Sequence, residues 1–382
     1  MNSRNFRTWV EIDPHAIGAN VWSLKSLLGE TVPLMAVVKS NAYGHGMVGS
    51  ALVALSEGAS WLAVDEITEA FELRKNKIKA PILVLGYTLP VFYKAAAAQK
   101  ISITMSSLEA LQSLSEYKVK RTLKVHLKFD TGLHRQGIPE SHVQQAIRLV
   151  SSKAFPATVE GAYTHFAAME DPMRESYSKM QADSFRAILE KIRAKGIEVL
   201  SHASASSGIL FSKNFHFDLS RGGIALYGLW PSREIKLWAK DMKLVPALSW
   251  KTIVTEVKLV SKGAKVGYDL TYETLRNSRL AVIPVGYWHG LPRNLSSKGE
   301  VLLHGKRAPI VGRISMGMSI IDVTDIPNAR PGDEVVIIGA QGKESITAEE
   351  VALKAGTINY EIVTRINPLI PRIMLSDAKK NK

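Results

Sequence analysis

The stretch Leu34-Met-Ala-Val-Val-Lys-Ser-Asn-Ala-Tyr-Gly-His-Gly46 runs from an apolar, strand-like segment straight into a lysine and then into a glycine-spaced turn. A lysine at the end of such a strand, held against Ala36, Val37 and Val38, is expected to be partly desolvated, which disfavours the ammonium form and yields a free amine that attacks aldehydes. A lysine that merely snorkels to solvent from a strand end is the plainer alternative. The surrounding chain decides between them.

Working outward from Leu34–Lys39, β-rich runs recur at Trp61–Val64, Ile82–Leu85, Ile101–Thr104, Leu123–Phe129, Ala157–Thr164, Val199–Ala203 and Phe217–Arg221. Helix-like stretches separate them. One is opened by the N-cap signal Ser106-Ser-Leu-Glu109; another covers Tyr177–Lys195 and stops at Gly196. Eight strand and helix units in succession predict an α/β fold, a (β/α)8 TIM-like barrel, over an open doubly wound sheet. Past Lys240 the pattern changes to β-branched runs with few long helices, as in Thr252–Val257, Ala281–Val285 and Glu334–Ile338. We therefore expect a barrel over residues 1–240 and a mostly β domain over 241–382, with loops at Trp230-Pro and Val245-Pro marking the boundary. Thr8–Asp13 precedes the first barrel helix and is free to pair with the C-terminal sheet instead.

The chain has 382 residues, 46% of them hydrophobic and 22% charged, as in ordinary globular proteins. It contains no apolar run long enough for a membrane span and no apolar leader before Thr8, so the expected location is the cytoplasm. With no cysteine, disulfides, thiolate metal sites and cysteine nucleophiles are all excluded. The net charge of +14 raises the question of nucleic acid. Its Lys and Arg residues are dispersed, however, and only the tail Lys379-Lys-Asn-Lys382, read as a frayed end, clusters them. The ten histidines show no metal-ligand spacing.

Barrels carry their chemistry at the C-terminal ends of their strands. Lys39, Lys128, Asp130, His165, Ser204 and Arg221 all fall there. Ser204 and the loop Arg221-Gly-Gly-Ile224 follow the seventh and eighth strands, where barrels commonly build a phosphate site; the Gly223 region offers backbone amides, with the hydroxyls of Ser204 and Tyr43 beside them. A plain turn is the alternative for Gly222-Gly223. A lysine that traps aldehydes and a phosphate cradle at one mouth together suggest pyridoxal 5'-phosphate.

On the pieces Ala36-Val-Val-Lys-Ser-Asn-Ala-Tyr-Gly-His-Gly46, Asp130-Thr-Gly132 with Arg135, Thr164-His-Phe-Ala167, Arg221-Gly-Gly-Ile-Ala-Leu-Tyr-Gly228, Val266-Gly-Tyr268, Gly286-Tyr287, Ala308–Arg313 and Asn359-Tyr-Glu361, the chain resembles the pyridoxal-phosphate-dependent alanine racemases over nearly its whole length. The resemblance implies that Lys39 is the Schiff-base lysine and one catalytic base, and that Tyr268 of the partner subunit is the other. Racemization needs groups on both faces of a planar carbanion. It also implies that Arg221 faces the pyridine nitrogen and, donating only, keeps that nitrogen unprotonated. Cofactor contacts are implied for Tyr43, His165, Ser204, Gly223, Ile224 and Tyr360. His165 would bond Arg221 and Tyr268, while Arg135 and the Met316 amide would bind the substrate carboxylate. Lys128 stands where family members often carry a carbamylated lysine, and Asp171, Tyr287, Arg293 and Arg313 match a polar access corridor that selects small zwitterions. A homodimer with shared active sites and a role in D-alanine supply for bacterial peptidoglycan follow from the same resemblance.

Two places depart from the family pattern. Ser315 and Gly317 flank Met316 where cysteine and aspartate are usual, and Trp288-His289 replaces a small residue and an aspartate. These departures leave open a racemase for serine or larger amino acids. A pyridoxal-phosphate decarboxylase of the same fold is the second alternative; Arg221 opposes it, since such enzymes pair the ring nitrogen with a carboxylate. A non-catalytic pyridoxal-phosphate-binding protein is the third, and the second domain opposes that.

Overall fold

The computed structural model describes residues 5–117 and 123–376; the basic tail Lys379–Lys382 lies outside them. Two compact units divide the chain. One comprises Ala16–Ala42 and Met47–Pro246; the other comprises the chain up to His15, Tyr43–Gly46 and the chain from Ala247.

The first strand, β1 (Thr8–Ile12), is followed by eight strands that form the barrel: β2 (Leu34–Val37), β3 (Trp61–Val64), β4 (Ile82–Val84), β5 (Ile101–Met105), β6 (Lys124–Lys128), β7 (Thr158–Tyr163), β8 (Leu200–His202) and β9 (Ser220–Gly222). All neighbours are parallel, in the order β8-β7-β6-β5-β4-β3-β2-β9, and an isolated parallel bridge between His202 and Leu219 joins the two edges. Strands covered on both faces must be apolar nearly throughout. Accordingly β2, β4 and β5 are buried at every position. Each buried aliphatic side chain contributes roughly 1.5–3 kcal/mol. Between strands lie helices such as Leu108–Glu116, whose N-cap Ser107 accepts from the Ala110 amide, and Glu175–Arg193. No helix among the described residues is long and apolar enough to cross a membrane.

The chain after β2 turns unusually. Ser40, Asn41, Ala42 and Tyr43 all have φ between 51° and 55°, a left-handed run without glycine. Each such residue costs roughly 1–2 kcal/mol, so neighbouring contacts must fix the conformation. The Ser40 amide donates to Glu69 Oε1 at 2.6 Å, the Ala42 amide to the Val38 carbonyl at 2.8 Å, and the Met47 amide to Asn41 Oδ1 at 2.9 Å.

In the other unit, β1 pairs antiparallel with Leu248–Ile253 and parallel with Arg372–Met374, inside a sheet that also holds Glu300–Leu303, Lys306–Pro309 and Glu334–Gln341. A second sheet is made by Glu256–Val260, Ser278–Ile283 and Ser319–Asp322. Trp250, alternating inward from Leu248–Ile253, is almost fully buried.

Candidate active site

At the barrel's C-terminal rim, β2 and β9 are direct neighbours with Met35 opposite Arg221. Lys39 lies two residues beyond β2 rather than within it. The end of that strand is fixed from two sides: Tyr227 donates its hydroxyl to the Val37 carbonyl at 2.8 Å, and the Val38 amide donates to the Ala63 carbonyl. Lys39 is half-buried. Its side chain is 34% exposed and its Nζ donates to Asp65 Oδ1 at 3.0 Å. Sequence reasoning missed Asp65; its position one residue past β3, on the strand next to β2, is the signal that identifies it.

Arg221 is 3% exposed. Its Nη2 donates to the carbonyls of Thr164 and Ala203 at 2.9 and 2.6 Å and lies 3.2 Å from His165 Nδ1; its Nη1 is 2.5 Å from His202 Nδ1. A guanidinium held by two carbonyls and two imidazole nitrogens has its orientation fixed. Burial, followed by the charges of Arg221, Arg135, Lys128 and Lys39, pushes His165 well below the usual imidazole range, so it is neutral.

Lys128, at the end of β6, is buried. Its Nζ donates to Gln136 Oε1 at 2.9 Å and stands 5.5 Å from the centre of the Tyr163 ring. Burial first, then Arg221, Arg135 and Lys39, lower it to about 8. That mutual repulsion reflects how closely the four cations Lys39, Lys128, Arg135 and Arg221 converge, which makes this mouth a natural anion site. Arg135 is exposed, three residues beyond Gly132.

Ser204 is fully buried, and its hydroxyl donates to the Phe215 carbonyl at 2.6 Å. Ser206 is the hydroxyl beside the glycine loop: its Oγ accepts from the Gly223 amide at 2.9 Å and the Ala225 amide at 3.2 Å. Gly223 precedes the 3-10 turn Ile224–Tyr227, so the amides of Gly223, Ile224 and Ala225 open that turn. Of the serines in Ser204-Ala-Ser-Ser207, Ser206 rather than Ser204 has its hydroxyl against the glycine loop.

Asp171 caps the turn Pro172–Arg174, accepting from the Met173 amide and pairing with Arg174. The remaining expected site residues belong to the other unit. Tyr43 and Tyr360 have ring centres 6.1 Å apart. Tyr268 is 68% exposed and is followed by Asp269 and Leu270 in left-handed conformations; Asp269 pairs with Arg313 Nε at 2.7 Å. Tyr287 and Arg293 line a cavity of about 500 Å³ together with Glu361 and Arg365. Arg313 does not line it. Trp288 donates its amide to the Met316 carbonyl, and a Cβ at Gly286 would meet the Ser315 carbonyl at 2.0 Å, so the loop carrying Met316 packs directly on Gly286. A Cβ at Gly317 would meet nothing within 4 Å.

Comparison with known proteins agrees with this architecture. Residues 12–231 match the family model for the alanine racemase N-terminal domain, and residues 247–374 match that for the C-terminal domain. An alanine racemase of Symbiobacterium thermophilum is 40% identical, covering 96% of each chain. That of Halothermothrix orenii is 41% identical, covering 97% of this chain and 98% of the relative. The crystal structure of alanine racemase from Bacillus anthracis with bound L-Ala-P superposes with a TM-score of 0.92 at 38% identity, covering 98% of this chain and 96% of that one. An eight-stranded parallel barrel, a mostly β second part and full-length similarity of this degree have one consequence: the chain belongs to the alanine racemase family of isomerases.

Proposed function

We propose that this protein interconverts L- and D-alanine with pyridoxal 5'-phosphate as cofactor, by a two-base mechanism. The observation that carries the proposal is a rim lysine just beyond β2 together with a buried, fully oriented arginine on the adjacent β9. The donor set fits the cofactor. Lys39 offers a primary amine, the turn opening at Gly223 offers amides that here donate to Ser206 Oγ and that a phosphate oxygen would take over beside that hydroxyl, and Arg221 offers only N–H groups to the ring between them. When bound, the cofactor supplies an electrophilic carbon for the substrate amine and a ring that withdraws electron density from Cα.

In this reading Lys39 Nζ takes or returns the Cα proton on one face, and the phenolic oxygen of Tyr268 of the partner subunit does so on the other. Asp65 orients Lys39 until the cofactor engages it. Neutral His165 accepts from Arg221 and adds no further positive charge to the cations already at the mouth. Arg135 and the Met316 amide hold the substrate carboxylate. Tyr43 and Tyr360 are assigned to the phosphate by family resemblance, and Asp171, Tyr287, Arg293 and Arg313 to the access corridor. Carbamylation of Lys128 converts a cation into an anion beside Arg135; an amine lowered to about 8 has enough neutral form at pH 7 to react with carbon dioxide. The full protein is then a homodimer, with residues 1–240 binding the cofactor and 241–382 completing the partner's site, located in the cytoplasm and feeding D-alanine to peptidoglycan.

Turnover of L-alanine, L-serine, L-lysine and L-arginine with added pyridoxal phosphate tests this, read by chiral chromatography and carbon dioxide detection. D-alanine should dominate, and Lys39→Ala should abolish both the product and the visible absorbance of lysine-bound cofactor. Dominant D-serine would move the substrate to the Ser315 and Gly317 departures. Carbon dioxide release would replace the racemase reading with the decarboxylase.

A further inference from the structure

Behind Arg221 a line of buried polar side chains crosses the barrel interior. Arg221 Nη1 meets His202 Nδ1 at 2.5 Å, His202 Nε2 meets His126 Nδ1 at 2.9 Å, and His126 Nε2 meets Glu160 Oε2 at 3.4 Å. Glu160 also accepts from Ser102 Oγ at 2.6 Å and from Lys124. His126 and His202 are wholly buried.

Donor chemistry fixes the direction of this line. A guanidinium only donates, so His202 Nδ1 must accept, and a neutral His202 carries its proton on Nε2. That N–H faces His126 Nδ1, which must also accept, leaving the His126 proton on Nε2 and directed at the carboxylate. Protonating either imidazole would set two donors against each other. Burial independently favours the neutral forms of both, and the charge of Arg221 adds to it. For Glu160 burial acts the other way, but the hydrogen bonds from His126, Lys124 and Ser102 outweigh it and hold the carboxyl at about 2, so it is ionised. His126 faces Glu160, which favours its protonated form, together with Lys124, His202 and Arg221, and burial prevails over Glu160.

Three local devices hold the line in place. The β6–β7 register shifts between Val125 and His126, from Val125↔Val159 to His126↔Gly161, so Glu160 is an extra residue whose side chain is redirected. A Cβ at residue 161 would meet His126 Nδ1 at 2.2 Å, so only glycine leaves room for the ring. The His202 ring stacks on Tyr163, with centres 4.6 Å apart and 9° between planes.

We propose that Glu160 is a positioning residue for the reaction: through His126 and His202 it sets a one-way donor chain that holds the Arg221 guanidinium in place from behind. The inference rests on the reading that Arg221 faces the cofactor ring, but its decisive test does not require turnover. In full-length protein labelled with 15N at histidine, cofactor-free and cofactor-loaded, His126 and His202 should both be neutral with the proton on Nε2 at pH 7. An imidazolium, or a proton on Nδ1, at either residue would overturn the proposal.

Glu160→Gln keeps an acceptor but removes the charge. It should lower kcat for alanine in both directions roughly tenfold, leave KM within about twofold and shift the visible band of the bound cofactor. Unchanged kcat and band in a folded Glu160→Gln protein would equally overturn the proposal. Wild-type protein that shows the expected histidine pattern but no racemization would refute the functional reading and leave the donor chain standing.

Discussion

At the scale of single residues, Lys128 illustrates how a buried charge links stability to pH. Its amine falls from an ordinary 10.5 to about 8 because folding desolvates it among three other cations. Below pH 8 the folded state therefore carries a buried, protonated amine at a cost. As pH rises from about 8 to 10.5 the unfolded chain binds more protons, so stability rises through that window. Lys128→Met should stabilise the protein by about 1–2 kcal/mol at pH 7, with the gain shrinking above pH 10, as thermal melts across pH will report. No gain at pH 7 would mean that the amine is already neutral or carbamylated.

The same scale separates what the sequence reveals from what it hides. Lys39, Lys128, His165 and Arg221 stand out because polar residues at strand ends interrupt apolar runs. Ser206 and Asp65 do not, because their roles depend on which way a turn points. His126, His202 and Glu160 are harder still. In Lys-Val-His-Leu-Lys128 a histidine facing the barrel interior looks like any alternating polar residue, and no local signal announces its partner 76 positions away.

At the scale of elements, the eight barrel strands are legible from runs of β-branched and apolar residues, and so is the capped helix after Ser107. The bulge at Glu160 is marked only by the neighbouring Gly161, and the left-handed Ser40–Tyr43 run contains no glycine of the kind that usually marks such geometry, so neither is legible. The left-handed run depends on the helix Ile67–Lys75. Glu69 accepts from the Ser40 amide through Oε1 and, through Oε2, from the Asp65 amide at 2.9 Å and the Glu66 amide at 3.3 Å. One carboxylate thus caps a helix and fixes both Lys39's turn and Asp65's strand end. Glu69→Ala should cost about 2 kcal/mol of stability. It should also weaken cofactor retention, measured by dialysis and the remaining visible absorbance; full retention would show that Lys39 is placed without the turn.

At the scale of the whole molecule, barrel and β-rich part were both readable from the change of pattern near residue 240, whereas the pairing of β1 with strands some 240 and 360 residues later was not fixed by any local feature. Tyr268, Leu270 and Leu275 lie exposed on one stretch of the second unit, an apolar surface of the kind that partners cover. If each active site takes a tyrosine from the partner, activity per chain must fall as the protein is diluted through its dimer constant, and Leu270→Asp should move that fall to higher concentration. Concentration-independent specific activity down to fully monomeric protein, established by sedimentation, would rule out shared sites.

In the proposed mechanism two bases act on opposite faces of Cα. Its most direct test follows Cα deuterium uptake from solvent in Tyr268→Phe, starting separately from L-alanine and D-alanine. Exchange from one enantiomer should fall by at least about a hundredfold while exchange from the other persists. Equal rates from both enantiomers in that variant would contradict it.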